Sequence, residues 1–208
     1  MTLLIIIFAV TLIYFSITER FKTYAILIGL QGLMLFGIAI FKLTSTDLPN
    51  LIFIVTETLL FKGIIVPYLL FKIIRENKIH KVHNKAIPGF YSLISISFGL
   101  LMSVVLAKSL NNKDVDFLYF TISLFSLYTG LFLIIGHKKI FSHLIGFLII
   151  ENAVFLLSVA IGSEMPMLIN TAILLDIFVS VLILGVFLNK IGDKMNDFES
   201  EKLTKLKD

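Results

Sequence analysis

Residues 141–161 read FSHLIGFLIIENAVFLLSVAI, an apolar run interrupted at its centre by Glu151 and Asn152. At 1.5 Å per residue such a run forms a helix about 30 Å long, the thickness of a bilayer's hydrocarbon. Backbone amides find no water there, so a spanning segment must be a helix or part of a closed barrel. The alternation of a barrel strand is missing. The run is therefore read as a transmembrane helix. Glu151 lies ten residues beyond Phe141, roughly 15 Å into the span and near its midplane.

Six further apolar runs flank this one, near 2–18, 22–41, 51–74, 88–107, 117–136 and 166–189. The expectation is an all-α integral membrane protein of about seven transmembrane helices. Composition agrees: 58% of the 208 residues are hydrophobic and only 15% are charged, against about 25% charged in a soluble domain. The first run has no basic residue before it and no small-residue cleavage site after it, so it is read as a retained span. There is no cysteine. That excludes disulfides, thiolate metal sites, cysteine nucleophiles and cysteine-ligated clusters.

The positions of Lys and Arg set the expected orientation. Arg20, Lys22, Lys72, Arg75, Lys78, Lys81, Lys85, Lys138 and Lys139 fall on one side, joined by Lys190, Lys194, Lys202, Lys205 and Lys207. Lys42, Lys108 and Lys113 fall on the other. The positive-inside bias places the N-terminus outside the plasma membrane and the C-terminus in the cytoplasm. Basic residues confined to short inter-span loops argue against nucleic-acid binding. The loop Arg75–Ile87 reads as a topology anchor beside anionic lipid. Its His80 and His83 have no neighbouring carboxylate and are not assigned as metal ligands. His137 and His143 are placed at the interface, within reach of relaying protons to a span. The tail 190–208 is charged, with Ile191, Met195, Phe198, Leu203 and Leu206 at loosely helical spacing. A surface helix and a disordered end both stay open.

Four ionisable residues fall inside spans: Glu57, Lys62, Glu151 and Asp176. A charge at a helix centre costs about 2.5–3.5 kcal/mol on the insertion scale. Such residues face a bundle interior and by default mark an ion or proton path. Asp176 lies ten residues beyond Pro166, Lys62 is similarly deep, and Gln31 is a mid-span amide at comparable depth. Desolvation favours the neutral form of a carboxylic acid, and a nearby ammonium favours the charged form. An acid balanced between the two can both take and give a proton. The competing reading makes these groups structural hydrogen bonds between helices or subunits. Glu57 and Lys62 are five apart, roughly 140° around an ideal helix, so each is expected to reach a different neighbour. Pro67 crowds the Gly63 carbonyl and predicts a kink.

The chain also reads as one three-span unit repeated. A shift of 120 aligns Gln31 with Glu151 and Ala39 with Val159. Each of these spans precedes a proline-containing loop (Pro49, Pro166) and a span with an early acid (Glu57, Asp176). The fourth span between them makes the repeat parallel. The organisation expected is 1–74 for the first unit, 75–116 for the basic loop and linking helix, 117–189 for the second unit, and 190–208 for the tail.

The string from His143 through Gly146, Glu151, Asn152 and Phe155, followed by Pro166 and then Leu174-Leu175-Asp176, resembles component E of hydrogenase-4-type complexes. It is similar to the small NuoK-type subunit of respiratory complex I and to the corresponding subunit of multisubunit cation/proton antiporters. The resemblance covers the last three spans best. It implies a non-catalytic, cofactor-free membrane subunit beside large antiporter-like subunits of a membrane-bound hydrogenase or a related complex. It further implies that Glu151 and Asp176 stand on a central polar axis used for proton transfer. Gln31 occupies the equivalent position in the first unit and cannot change charge. A purely structural assembly subunit and an independent secondary transporter remain the alternatives.

Overall fold

The computed structural model describes residues 2–18, 20–42, 52, 55–76, 89–110, 115–137 and 140–161. The chain divides into two compact units, Met1–Asn170 and Thr171–Asp208, and every described residue belongs to the first. The seventh expected span, with Asp176, therefore lies outside the described residues. So do His80, His83, Pro49 and the basic tail.

The described residues form helices and no sheet. They comprise α1 (Thr2–Ile17), α2 (Phe21–Lys42), a π-helical stretch Glu57–Ile65 that leads into α3 (Val66–Glu76), α4 (Gly89–Leu110), α5 (Phe117–Gly136) and α6 (Ile140–Ile161). Four of the segments are long and apolar enough to cross a membrane: Phe21–Phe41, Phe90–Leu110, Phe117–Gly136 and Phe141–Ile161. Helix α1 is apolar but shorter, at 16 residues.

The distribution of polarity is the inverse of a water-soluble bundle. Gln31, Lys62, Glu151, Asn152, Ser126 and Thr129 are buried, while Leu3, Val10, Phe98, Leu101, Val105 and Ile135 are exposed. In water that surface would aggregate. In lipid it costs nothing, and it is the buried polar groups that need partners.

Helices α5 and α6 form the tightest pair, packed antiparallel. The Asp116 N–H donates to the Ala160 carbonyl at 2.9 Å, and Ser126 Oγ donates to the Ile149 carbonyl at 3.2 Å. Between them, a Cβ on Gly130 would stand 2.6 Å from the Gly146 carbonyl oxygen, and the converse holds at Gly146. Only glycine permits this approach, the small-residue contact by which membrane helices associate. Helix α2 runs alongside α6 in the same direction. The Phe21 and Phe141 rings meet edge-on at 4.7 Å near their N-terminal ends, and Gln31 and Asn152 are hydrogen-bonded halfway along.

The segment expected as the third span is not a plain α-helix. Pro67 has no N–H for the Gly63 carbonyl, and the turns before it widen, with the Val66 N–H donating to the Phe61 carbonyl, five residues back. The expected 140° between positions 57 and 62 is therefore corrected. In i→i+5 geometry, residues five apart lie one turn above each other. This segment sits on a flat strip of α2, where a Cβ on Gly29 would meet the Pro67 ring at 2.9 Å. A Cβ on Gly32 would meet the Lys62 carbonyl oxygen at 2.4 Å. Two glycines three residues apart on α2 thus set how closely the π-helical stretch and the start of α3 approach.

Candidate functional site

Three of the five residues singled out by sequence meet in the interior. Lys62, on the π-helical stretch, places its Nζ 3.5 Å from Glu151 Oε1 on α6, with both side chains buried. The same Nζ lies 3.5 Å from Asn152 Oδ1 and 5.4 Å from the centroid of the Phe155 ring. Asn152 Nδ2 donates to Gln31 Oε1 at 3.1 Å. Gln31 Nε2 donates to Thr11 Oγ1 at 2.9 Å, and the Thr11 hydroxyl ends on the Phe8 carbonyl at 2.6 Å. One polar chain, Glu151–Lys62–Asn152–Gln31–Thr11, thus crosses four segments.

Local structure explains the convergence. Glu151 and Phe155 are four apart on α6, and Asn152 and Phe155 are three apart, so the three side chains share one patch of that helix. The glycine strip of α2 brings the Lys62 backbone close enough for its side chain to reach this patch. Gln31 precedes Gly32 and spans the gap between Asn152 and α1. Each amide in the chain both donates and accepts, which is what a buried Asn or Gln requires.

The contacts around Lys62 are loose. A charge-assisted hydrogen bond runs at about 2.7–2.9 Å; here the ammonium stands 3.5 Å from both the carboxylate and the amide oxygen. With an effective dielectric constant of about 20, a pair at that distance attracts by on the order of 5 kcal/mol, against a desolvation penalty of several kcal/mol per ion. The arrangement therefore holds a charge in the bundle without locking it to one partner. The aromatic face supplies a third contact within the usual cation–π range of about 6 Å.

Glu57 heads the π-helical stretch by its backbone; its side chain and the whole of Asp176 lie outside the described residues. Thr11 went unmentioned in the sequence, and Asn152 and Phe155 were named there as part of the family-like string and not as site residues; all three are members of the site. His137, directly after the end of α5, is buried, 4% exposed; its Nδ1 faces the Leu133 carbonyl at 3.1 Å. His143 is half-buried, with its Nε2 2.6 Å from the His137 carbonyl. Among the described residues no cluster of three or more His, Asp or Glu stands close enough to hold a metal ion. Comparison with known families, with characterised proteins and with solved structures returns no match.

Proposed function

We propose that this chain is a proton-translocating membrane subunit of a redox-driven complex of the hydrogenase-4 or complex I kind, working beside antiporter-like subunits in the plasma membrane. The observation that carries the reading is the buried Lys62–Glu151 pair at 3.5 Å, joined through Asn152 and Gln31 to Thr11. A charged pair at bilayer depth is expensive, and its usual use is an ion path. Glu151 is the group that gains and loses H⁺. When it is neutral, Lys62 swings toward the Asn152 oxygen and the Phe155 face; when it is charged, Lys62 returns. Gln31 and Thr11 change no charge and hold Asn152 in place.

The parallel course of α2 and α6 supports the reading of two related units, because Phe21 meets Phe141 and Gln31 meets Asn152 at offsets of 120 and 121 residues. The unit with Gln31 then anchors, and the unit with Glu151 conducts. The N-terminus is placed outside and the C-terminus in the cytoplasm by the positive-inside rule.

The test is Glu151→Gln in the native membrane complex. Gln keeps the shape and cannot titrate. Proton pumping per electron falls at least tenfold while the complex assembles in normal amount. Normal pumping by an intact complex would refute the conducting role. Loss of the complex itself would favour the structural reading.

A further inference from the structure

The patch on α6 that faces Lys62 has the chemistry of a cation site in its own right. Glu151 supplies a carboxylate oxygen, Asn152 an amide oxygen and Phe155 a ring face, and all three side chains are buried. These donors come from one helix. The ammonium they surround comes from another segment, the π-helical stretch, and enters as a single head group on a flexible stem. Asn152 is further fixed by its bond to Gln31, which turns the amide oxygen toward Lys62 and the NH₂ group away from it. This orientation favours any cation at that point, tethered or free.

We infer that residues 151, 152 and 155 form a monovalent-cation site whose resident cation is the Lys62 ammonium, and that this tethered charge keeps alkali cations out of the centre. The inference deepens the proposed function by naming H⁺, and not Na⁺ or K⁺, as the ion served at this site. A hard alkali cation prefers oxygen donors of this type. A tethered group competes at an effective concentration set by its stem, in the millimolar range or above for short flexible links. Free Na⁺ must displace it and also leave a second positive charge buried beside Glu151. Removal of the ammonium leaves the three donors in place because none of them belongs to the segment that carries Lys62.

The experiment uses the full chain in lipid nanodiscs and follows thermal unfolding by circular dichroism in NaCl, KCl or choline chloride at equal ionic strength. The wild-type midpoint is the same in all three salts. Lys62→Met raises its midpoint in NaCl or KCl over choline, and its unfolding constant falls by about 100-fold at a salt concentration 100 times the dissociation constant. Lys62→Met combined with Glu151→Gln loses that dependence. Lys62→Gln repeats the measurement with a polar side chain of similar reach. A wild-type midpoint that rises with Na⁺ or K⁺ would overturn the inference. So would folded Lys62 variants blind to the cation, or variants unfolded in all three salts. Recovery of folded Lys62→Met only in Na⁺ or K⁺ medium would support it. The readout is unfolding and not flux, so failure of the conducting role, seen as normal pumping by Glu151→Gln, remains a separate result.

Discussion

Gly32→Ala probes the geometry that brings Lys62 to Glu151. The added Cβ would stand 2.4 Å from the Lys62 carbonyl oxygen, 2.5 Å from its carbonyl carbon and 2.8 Å from the Gly63 nitrogen. Ordinary contact begins near 3.4 Å, so α2 and the π-helical stretch must separate by about 1 Å, and the obstructing atoms are backbone that no rotamer change removes. Overpacking of this kind costs typically about 1–3 kcal/mol. The same movement carries Lys62 away from partners already at 3.5 Å, so its hold on the charge weakens further. Gly37→Ala is the internal control. Among the described residues, its Cβ meets the end of the Leu4 side chain at 3.1 Å, which can turn aside. Reversible unfolding in mixed micelles, with pumping measured on the same variants in native membranes, should show Gly32→Ala destabilised and slowed. Gly37→Ala should stay within about 0.5 kcal/mol of the parent. Equal stability and equal pumping for the two variants would refute the close-packed placement of Lys62.

Lys62→Met takes the ammonium away from the buried Glu151 carboxylate and should destabilise by up to about 3–5 kcal/mol, the range for breaking a buried pair. Adding Glu151→Gln should recover at least 1 kcal/mol of that in a double-mutant cycle, whereas additive effects would show that the two are not coupled. Gln31→Leu removes partners from Asn152 and Thr11 together and should cost about 1–3 kcal/mol, measured by the same unfolding assay; a neutral effect would contradict the bridge. Tyr128→Phe removes the 2.7 Å hydrogen bond to Ser95. It should cost about 0.5–1.5 kcal/mol and leave proton pumping at the parental rate.

The four long apolar helices were legible because the cost of burying backbone and charge in lipid is written directly into hydropathy. Expected and observed limits of α5 coincide, those of α2 differ by one residue at each end, and those of α6 by one residue at its start. The shared depth of Gln31, Lys62 and Glu151 followed from counting at 1.5 Å per residue. Thr11 did not stand out because hydroxyls enter spans cheaply, and although Asn152 was visible beside Glu151, nothing in a linear pattern says which polar groups will meet. Asn152 was one residue from a flagged acid, and Thr11 was the mid-span hydroxyl of α1; those were the available signals. The π-helical register was hidden for a different reason. Hydropathy is blind to whether a turn closes at four or five residues, and only Pro67 hinted at a disturbance. The Gly29/Gly32 strip was visible as a pair of small residues three apart, but its partner segment was not.

The proposed conducting role requires Glu151 to exchange a proton while the proposed complex turns over. Infrared difference spectroscopy on native membranes, with Glu151→Gln as the reference, reads this directly. A carboxylic C=O band that appears and disappears with turnover, and is absent from the variant, is the predicted result. A Glu151 carboxyl that keeps one protonation state throughout turnover would contradict it.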